Sequence, residues 1–170
     1  MTLDKLMKKF ANGDESAFEE IYNQTQKTVY YIALSVVKER YLAEDVMQTV
    51  YLNVLKNAKQ DRAGTNAAAW IARITKNEAL NLIKKRGRIS YMDERVNVKL
   101  FGTGQADDYG LLVDLARKIL PQDEFAILML VAAAGYKRRE IAEMLDMPIN
   151  TVTWKFNKAT EKMRNALKEN

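Results

Sequence analysis

Residues 139–159 run REIAEMLDMPINTVTWKFNKA. It holds two short apolar-periodic segments separated by a break at Pro148. On a helical wheel of about 100° per residue, Val152, Phe156, Ala159 and Met163 fall in one narrow stripe, which reads as a buried face. Thr153, Trp154, Asn157, Lys158, Glu161 and Arg164 fall on the other side, with Trp154 almost opposite the stripe. A tryptophan so placed does not serve the core of its own domain. The first segment buries Ile141, Ala142 and Leu145, and the connection DMPIN (146–150) ends in Asn150, a good N-cap for the next helix. Two short helices joined by a tight turn, the second with a polar and basic outer face, form a helix-turn-helix pattern.

From these residues alone an ordinary helical hairpin with a solvated face is the alternative. Charge weighs against it. Lys137, Arg138, Arg139, Lys155, Lys158, Lys162, Arg164 and Lys168 gather around the unit, against Glu140, Glu143, Asp146 and Glu161. Such a surface neutralises phosphates while the outer face of the second helix enters a major groove.

Working outward, helical periodicity dominates, and there are only two prolines and seven glycines to interrupt it. Ser16 to Glu19 has the form of a capping box and opens a helix through Ile21, Val29, Ile32 and Val36. A second helix is expected from about Arg40 to Lys59, then a loop at 61–66, then a long helix over Ala67–Lys85. Residues 87–110 show no sustained period and read as a linker, with local structure around 96–101. Helices return at Leu111–Leu120, stopped by Pro121, and at Asp123–Ala134, stopped by Gly135. The expected fold class is therefore all-α, with two small helical domains joined by a flexible linker.

Composition excludes several function classes. The chain of 170 residues contains no cysteine and no histidine, which removes disulfides, thiolate chemistry, imidazole bases and nearly every transition-metal site. Glu44-Asp45 and the pair at 107–108 are its obvious acidic pairs, and adjacent carboxylates are ordinarily solvated or capping. No catalytic residue, metal or cofactor is expected. A net charge of +5 favours a polyanionic partner. The N-terminus lacks the apolar run of a signal peptide, and the most apolar segment, Phe125–Gly135, falls short of the ~18 residues that span a bilayer. A cytoplasmic protein without membrane insertion is expected.

Two surfaces in the N-terminal half stand out. Arg73, Asn77 and Lys84 project from one side of the long helix, flanked by Lys76 and Asn81, and the run KKRGR (84–88) closes it. Amides can bond base edges and cations hold phosphates, while a solvated basic helix end is the alternative. Trp70, among apolar neighbours, reads as core. In the helix AEDVMQTVYLNVL (43–55), Val46 and Val50 lie on one side and Leu52 and Leu55 on others. Such a helix is either central in the core or docked on a partner, and Asp45, Gln48 and Leu52 share a flank that suits docking.

Taken together and in order, DESAFEEIYNQ, YLAEDVMQTVYLNVL, AAWIARITKNEALNLIKKRGR and the stretch from LPQDEF to MRNAL resemble the extracytoplasmic-function (ECF) sigma factors of the sigma-70 family. The resemblance implies a region 2 helical bundle over 1–88, a linker over 89–110 and a region 4 helix-turn-helix over 111–170. It implies a non-enzymatic subunit that binds the beta and beta-prime subunits of core RNA polymerase and directs promoter-specific initiation, with promoter DNA and an anti-sigma factor as further partners. By position, Asp45, Gln48 and Leu52 would contact polymerase. Arg73, Lys76, Asn77, Asn81, Lys84 and Arg88 would capture the melted minus-ten element. Lys137, Arg138, Thr153, Trp154, Asn157 and Lys158 would grip the minus-thirty-five element, Trp154 meeting a thymine methyl or a sugar edge. The chain departs from the family pattern at Thr49, usually acidic, at Asp146, usually a turn glycine, and at Trp154, usually a small residue.

Overall fold

The computed structural model describes residues 1–58, 66–90 and 108–169, among which eight helices and no strand are found. The loop expected at 61–66 (Asn66 excepted), the linker over 91–107 with its expected local structure around 96–101, Asp107 and the Arg88 side chain lie outside the described residues. Helices α1 (Leu3–Ala11), α2 (Ala17–Val37), α3 (Arg40–Asn57) and α4 (Ala67–Ser90) form a first group. Helices α5 (Asp108–Ile119), α6 (Gln122–Ala132), α7 (Arg138–Met144) and α8 (Ile149–Lys168) form a second. Helix thus extends into both ends of the stretch assigned to the linker.

The centre of the first group is α2. It packs against α1, α3, α4 and α6, which is why its buried residues, from Ile21 and Val29 to Ala33 and Leu34, run round the helix rather than along one stripe. Hydroxyls carried into this interior are satisfied locally: Thr25 Oγ1 lies 2.7 Å from the Ile21 carbonyl and 2.9 Å from the Tyr51 hydroxyl. The helix stops at Lys38, which turns left-handed (φ 62°) and donates its N–H to the Leu34 carbonyl at 2.9 Å.

Two caps differ from expectation. Ser16 does not form the box with Glu19, because the Asp14 carboxylate, two residues before it, accepts both its N–H and its hydroxyl. Asn150 is not the N-cap of α8. Pro148 takes that place, extended at ψ 140°, with its carbonyl accepting the Val152 N–H at 3.1 Å. A proline has no N–H to strand at a helix entrance, so the helix begins at Ile149 and Asn150 is left exposed on its first turn. Asp146, in the connecting turn, adopts φ 52°, a conformation that suits glycine and that aspartate tolerates better than most residues.

The second group closes over the first. Apolar on all sides, α6 lies between α2 and α8 with Phe125, Ile127 and Leu130 fully buried. Ile32 and Ala72 from the first group share one apolar cluster with Ile127, Leu130, Ile141 and Val152 from the second. α6 ends at Ala132, and Gly135 (φ 77°) in the turn after it leads into Tyr136, whose hydroxyl accepts from Thr28 Oγ1 at 3.0 Å. Tyr31 and Tyr109 meet through their hydroxyls at 3.3 Å, Arg40 pairs with Asp114 at 3.1 Å, and Arg117 donates to the Lys38 carbonyl. The Lys38 ammonium is enclosed at this seam, 5.6 Å from the Phe125 ring centroid, with no hydrogen-bond partner among the described residues. Burial, and secondarily the nearby Arg117 guanidinium, holds its pKa below the ordinary lysine value.

Candidate nucleic-acid and partner interfaces

The outer edge of α3 carries the first surface. Val46, Val50 and Val54 are buried against the bundle, whereas Leu52 and Leu55 are 54% and 44% exposed. Gln48, Leu52 and Leu55 line a groove of about 560 Å³ together with Phe18, Tyr22, Met47 and Tyr51. Burial pushes the Tyr51 phenol up to about 12, so it stays a neutral hydroxyl, tied to Thr25. Asp45 is exposed but belongs to a different recess, shared with Thr49, Glu78, Asn81 and Lys85 between α3 and α4. The three residues grouped on one flank by sequence are therefore two plus one. Tyr22 and Leu55 complete the groove and were absent from that group; Tyr22 sits on α2, whose all-round apolarity hides which of its aromatics faces outward.

The second surface is the outer face of α4. Arg73, Lys76, Asn77, Asn81 and Lys84 are all exposed, and the spacing 73, 77, 80, 84 places them along one side, with Leu80 and Ile83 half-exposed among them. Trp70 is half-buried: it packs on the core yet lines a cleft with Arg73 and Lys76. The other wall of this cleft, about 400 Å³, comes from the second group through Asp123, Glu143 and Asp146. The start of α4 is fixed from two directions. Asn66 Oδ1 accepts the Ala69 N–H at 3.1 Å, and the Asp4 carboxylate, from α1, accepts the Ala67 N–H at 2.8 Å. A negative side chain at a helix N-terminus suits the helix dipole.

The helix-turn-helix carries the third. Val152 and Ala159 are fully buried, and Trp154, Asn157 and Lys158 are exposed on the opposite side with Thr153 half-exposed beside them. Ile149 extends this face as an apolar residue that the sequence reading passed over. Lys158 Nζ stands 4.6 Å from the centroid of the Trp154 ring. Lys137, Arg138 and Arg139 are exposed at the start of α7; the Glu140 carboxylate accepts the Lys137 N–H at 2.7 Å, and the Arg138 guanidinium stacks 4.9 Å from the Phe156 ring. Lys155 and Lys162 are turned inward instead, paired to Asp123 at 3.2 Å and to the buried Glu124 at 2.7 Å. These two lysines brace α8 on α6.

No group of three or more acidic residues that could hold a metal is found among the described residues, and none of their helices is long and apolar enough to cross a membrane.

Residues 21–89 match the family described as Sigma-70 region 2. The chain is 28% identical over 145 residues to the ECF RNA polymerase sigma factor SigK of Mycobacterium tuberculosis, covering 84% of this chain and 66% of that protein's length. It is 22% identical to the ECF RNA polymerase sigma factor SigW of Bacillus subtilis, covering 99% of this chain and 98% of SigW. Among solved structures, the sigma factor RpoE of Bartonella quintana, in complex with the anti-sigma factor NepR, matches with a TM-score of 0.64 at 20% identity, over 89% of this chain and 96% of that one. CnrH, in complex with the cytosolic domain of CnrY, matches with a TM-score of 0.67 at 16% identity, over 98% and 97%. These two show likeness of fold.

Proposed function

We propose that this chain, similar over residues 21–89 to Sigma-70 region 2 and along most of its length to ECF sigma factors, binds core RNA polymerase and directs initiation at promoters with separate minus-ten and minus-thirty-five elements. The observation that carries the proposal is the coexistence of three outward surfaces of different chemistry on one small helical body. An apolar groove suits a protein partner, a cationic and amide-bearing helix face suits a melted strand, and a helix-turn-helix suits a duplex.

Gln48 and Leu52, with Tyr22 and Leu55, form the contact for polymerase, and Asp45 contacts it from the neighbouring recess. Arg73, Lys76, Asn77, Asn81 and Lys84, continued by Arg88, hold the minus-ten strand: cations on phosphates, amides on base edges. Lys137 and Arg138 hold upstream phosphates while Thr153, Trp154, Asn157 and Lys158 face the major groove. The subunit performs no catalytic step and needs no cofactor. The two solved relatives are bound to an anti-sigma factor and to a cytosolic partner domain; for this chain we propose an anti-sigma factor of its own, acting in the cytoplasm.

Reading both elements at once requires the second helical group to leave the first, since Arg73 and Lys76 now share a cleft with Asp123, Glu143 and Asp146. The segment read from the sequence as a linker, 89–110, would then serve as the tether.

Run-off transcription tests the proposal. Core polymerase with this chain, given a genomic fragment library from its host, is expected to yield discrete transcripts that core polymerase alone does not. Equal transcripts with and without the chain would refute it. An operator-binding regulator would instead retain sequence-specific binding without any association with core enzyme.

A further inference from the structure

We infer that Trp154 and Lys158 act as one unit that selects thymine in the upstream duplex, the indole packing on the 5-methyl group and the ammonium donating to O4. The inference rests on the proposal that α8 is the duplex reader, and adds to it which base the outer face prefers.

Trp154 is 57% exposed and lies opposite the buried Val152 and Ala159. An indole left in water on the polar side of a helix has no role in packing its own domain. Its neighbour one turn on is exposed as well, yet lies against the ring. Lys158 leans back so that Nζ stands 4.6 Å from the ring centroid, as the N-terminal tilt of helical side chains allows for an i, i+4 pair. The contact has two consequences. It holds the ring in place before binding, which lowers the ordering cost on complex formation. It also brings the charge in from phosphate radius to one face of the indole, so a base that packs on the rest of the ring meets a donor beside it. Lys155 does not supply that donor, being paired to Asp123 on the inner side.

An apolar plate next to a cationic donor fits one base edge in the major groove. Thymine presents a methyl group beside the O4 acceptor. Cytosine presents a donor and no methyl, and would set its amino group against the ammonium. Guanine satisfies the ammonium through O6 and N7 but leaves the ring on a polar edge, and adenine places N6–H₂ where an acceptor is needed. The side chains of Asn157 and Thr153 flank the pair on the same face and are free to read adjacent positions.

The test uses the complex of the full chain with core RNA polymerase. That complex selects duplexes from a randomised pool, and the preferred duplex is resynthesised with deoxyuridine replacing each thymidine in turn. Deoxyuridine keeps O4 and the pairing and removes only the methyl. At one upstream position, loss of the methyl is expected to weaken binding about fourfold, the value of one buried methyl-sized group. In the Trp154→Ala complex that sensitivity disappears. Lys158→Met keeps the hydrocarbon and removes the charge; it is expected to retain the methyl sensitivity and to narrow the preference for T·A over C·G at the same position. The inference is overturned if no upstream thymine is methyl-sensitive, if the sensitivity survives in Trp154→Ala, or if Lys158→Met leaves the preference intact. Failure of the complex to form, or to select any duplex, would instead defeat the proposed function and is read separately, by co-purification.

Discussion

Truncating the two outward leucines of α3 is expected to weaken polymerase binding while leaving the bundle intact. Leu52 and Leu55 are 54% and 44% exposed in the free chain, so about half of each side chain is still available for burial by a partner. Full burial of a leucine is worth ~1.5–3 kcal/mol relative to exposure. Half of that for each of two residues gives ~1.5–3 kcal/mol, or roughly a ten- to hundredfold rise in Kd for Leu52→Ala with Leu55→Ala. The thermal midpoint should fall as well, because the half of each side chain already buried in the bundle is also lost, ~1.5–3 kcal/mol for the pair by the same measure, so Kd is compared at a temperature where the double variant is fully folded. Val50→Ala is the control on the same helix: Val50 is fully buried, so its truncation lowers the unfolding midpoint without altering the docking face. Kd is measured by fluorescence anisotropy of labelled chain against core polymerase, with calorimetry of each variant. Parental affinity in the double variant, or a loss that merely tracks loss of fold, would refute the assignment of the groove.

Further outcomes concern the devices that hold these surfaces in place. Lys38→Gly should stabilise the chain by about 1 kcal/mol, since glycine adopts the left-handed conformation without strain and the enclosed ammonium is removed. Because the folded pKa of Lys38 lies below 10.5, the unfolded chain binds a proton that the folded chain has released in the window just beneath 10.5. The parent should therefore gain stability as pH rises through that window and lose it as pH falls, and the variant should not; matching urea-unfolding profiles for the two would contradict this. Above pH 10 both should lose stability as the raised Tyr51 phenol, at about 12, is forced toward ionisation. Asp4→Ala should cost about 1 kcal/mol and speed hydrogen exchange of the Ala67 amide, with Asp4→Asn restoring most of the protection; unchanged exchange in Asp4→Ala would remove its capping role. Tyr136→Phe leaves Thr28 without its partner across the two helical groups and should cost about 1 kcal/mol, read by chemical unfolding, with no change arguing that the seam does not depend on this bond.

What the sequence made legible follows from how local each feature is. The helix-turn-helix could be read because Val152, Phe156 and Ala159 repeat at helical spacing and Pro148 interrupts it. The two-sided apolarity of α3 was visible as a conflict, Leu52 and Leu55 refusing the stripe of Val46 and Val50, and in the structure these two leucines face outward. Caps were less legible, because a side chain chooses among nearby donors by geometry: Asp14 captures Ser16, and Pro148 displaces Asn150. The left-handed Asp146 explains why a glycine would suit that turn. Contacts between residues far apart in sequence left no local trace. Neither the Asp4 cap on α4 nor the Thr28 to Tyr136 bond has a periodicity to betray it, and the lysines around α8 looked equivalent until Lys155 and Lys162 were found braced on α6 and Lys158 over Trp154.

If one chain reads two promoter elements with two different faces, site-specific crosslinking will separate the two contacts on the DNA. A photoreactive side chain is placed at Asn77 in one preparation and at Asn157 in another, each assembled with core polymerase on the same promoter. Position 77 is expected to label the melted strand near the start site while position 157 labels duplex upstream, on the same DNA molecule. Labelling of one shared segment by both positions, or of no DNA by position 77, would contradict it.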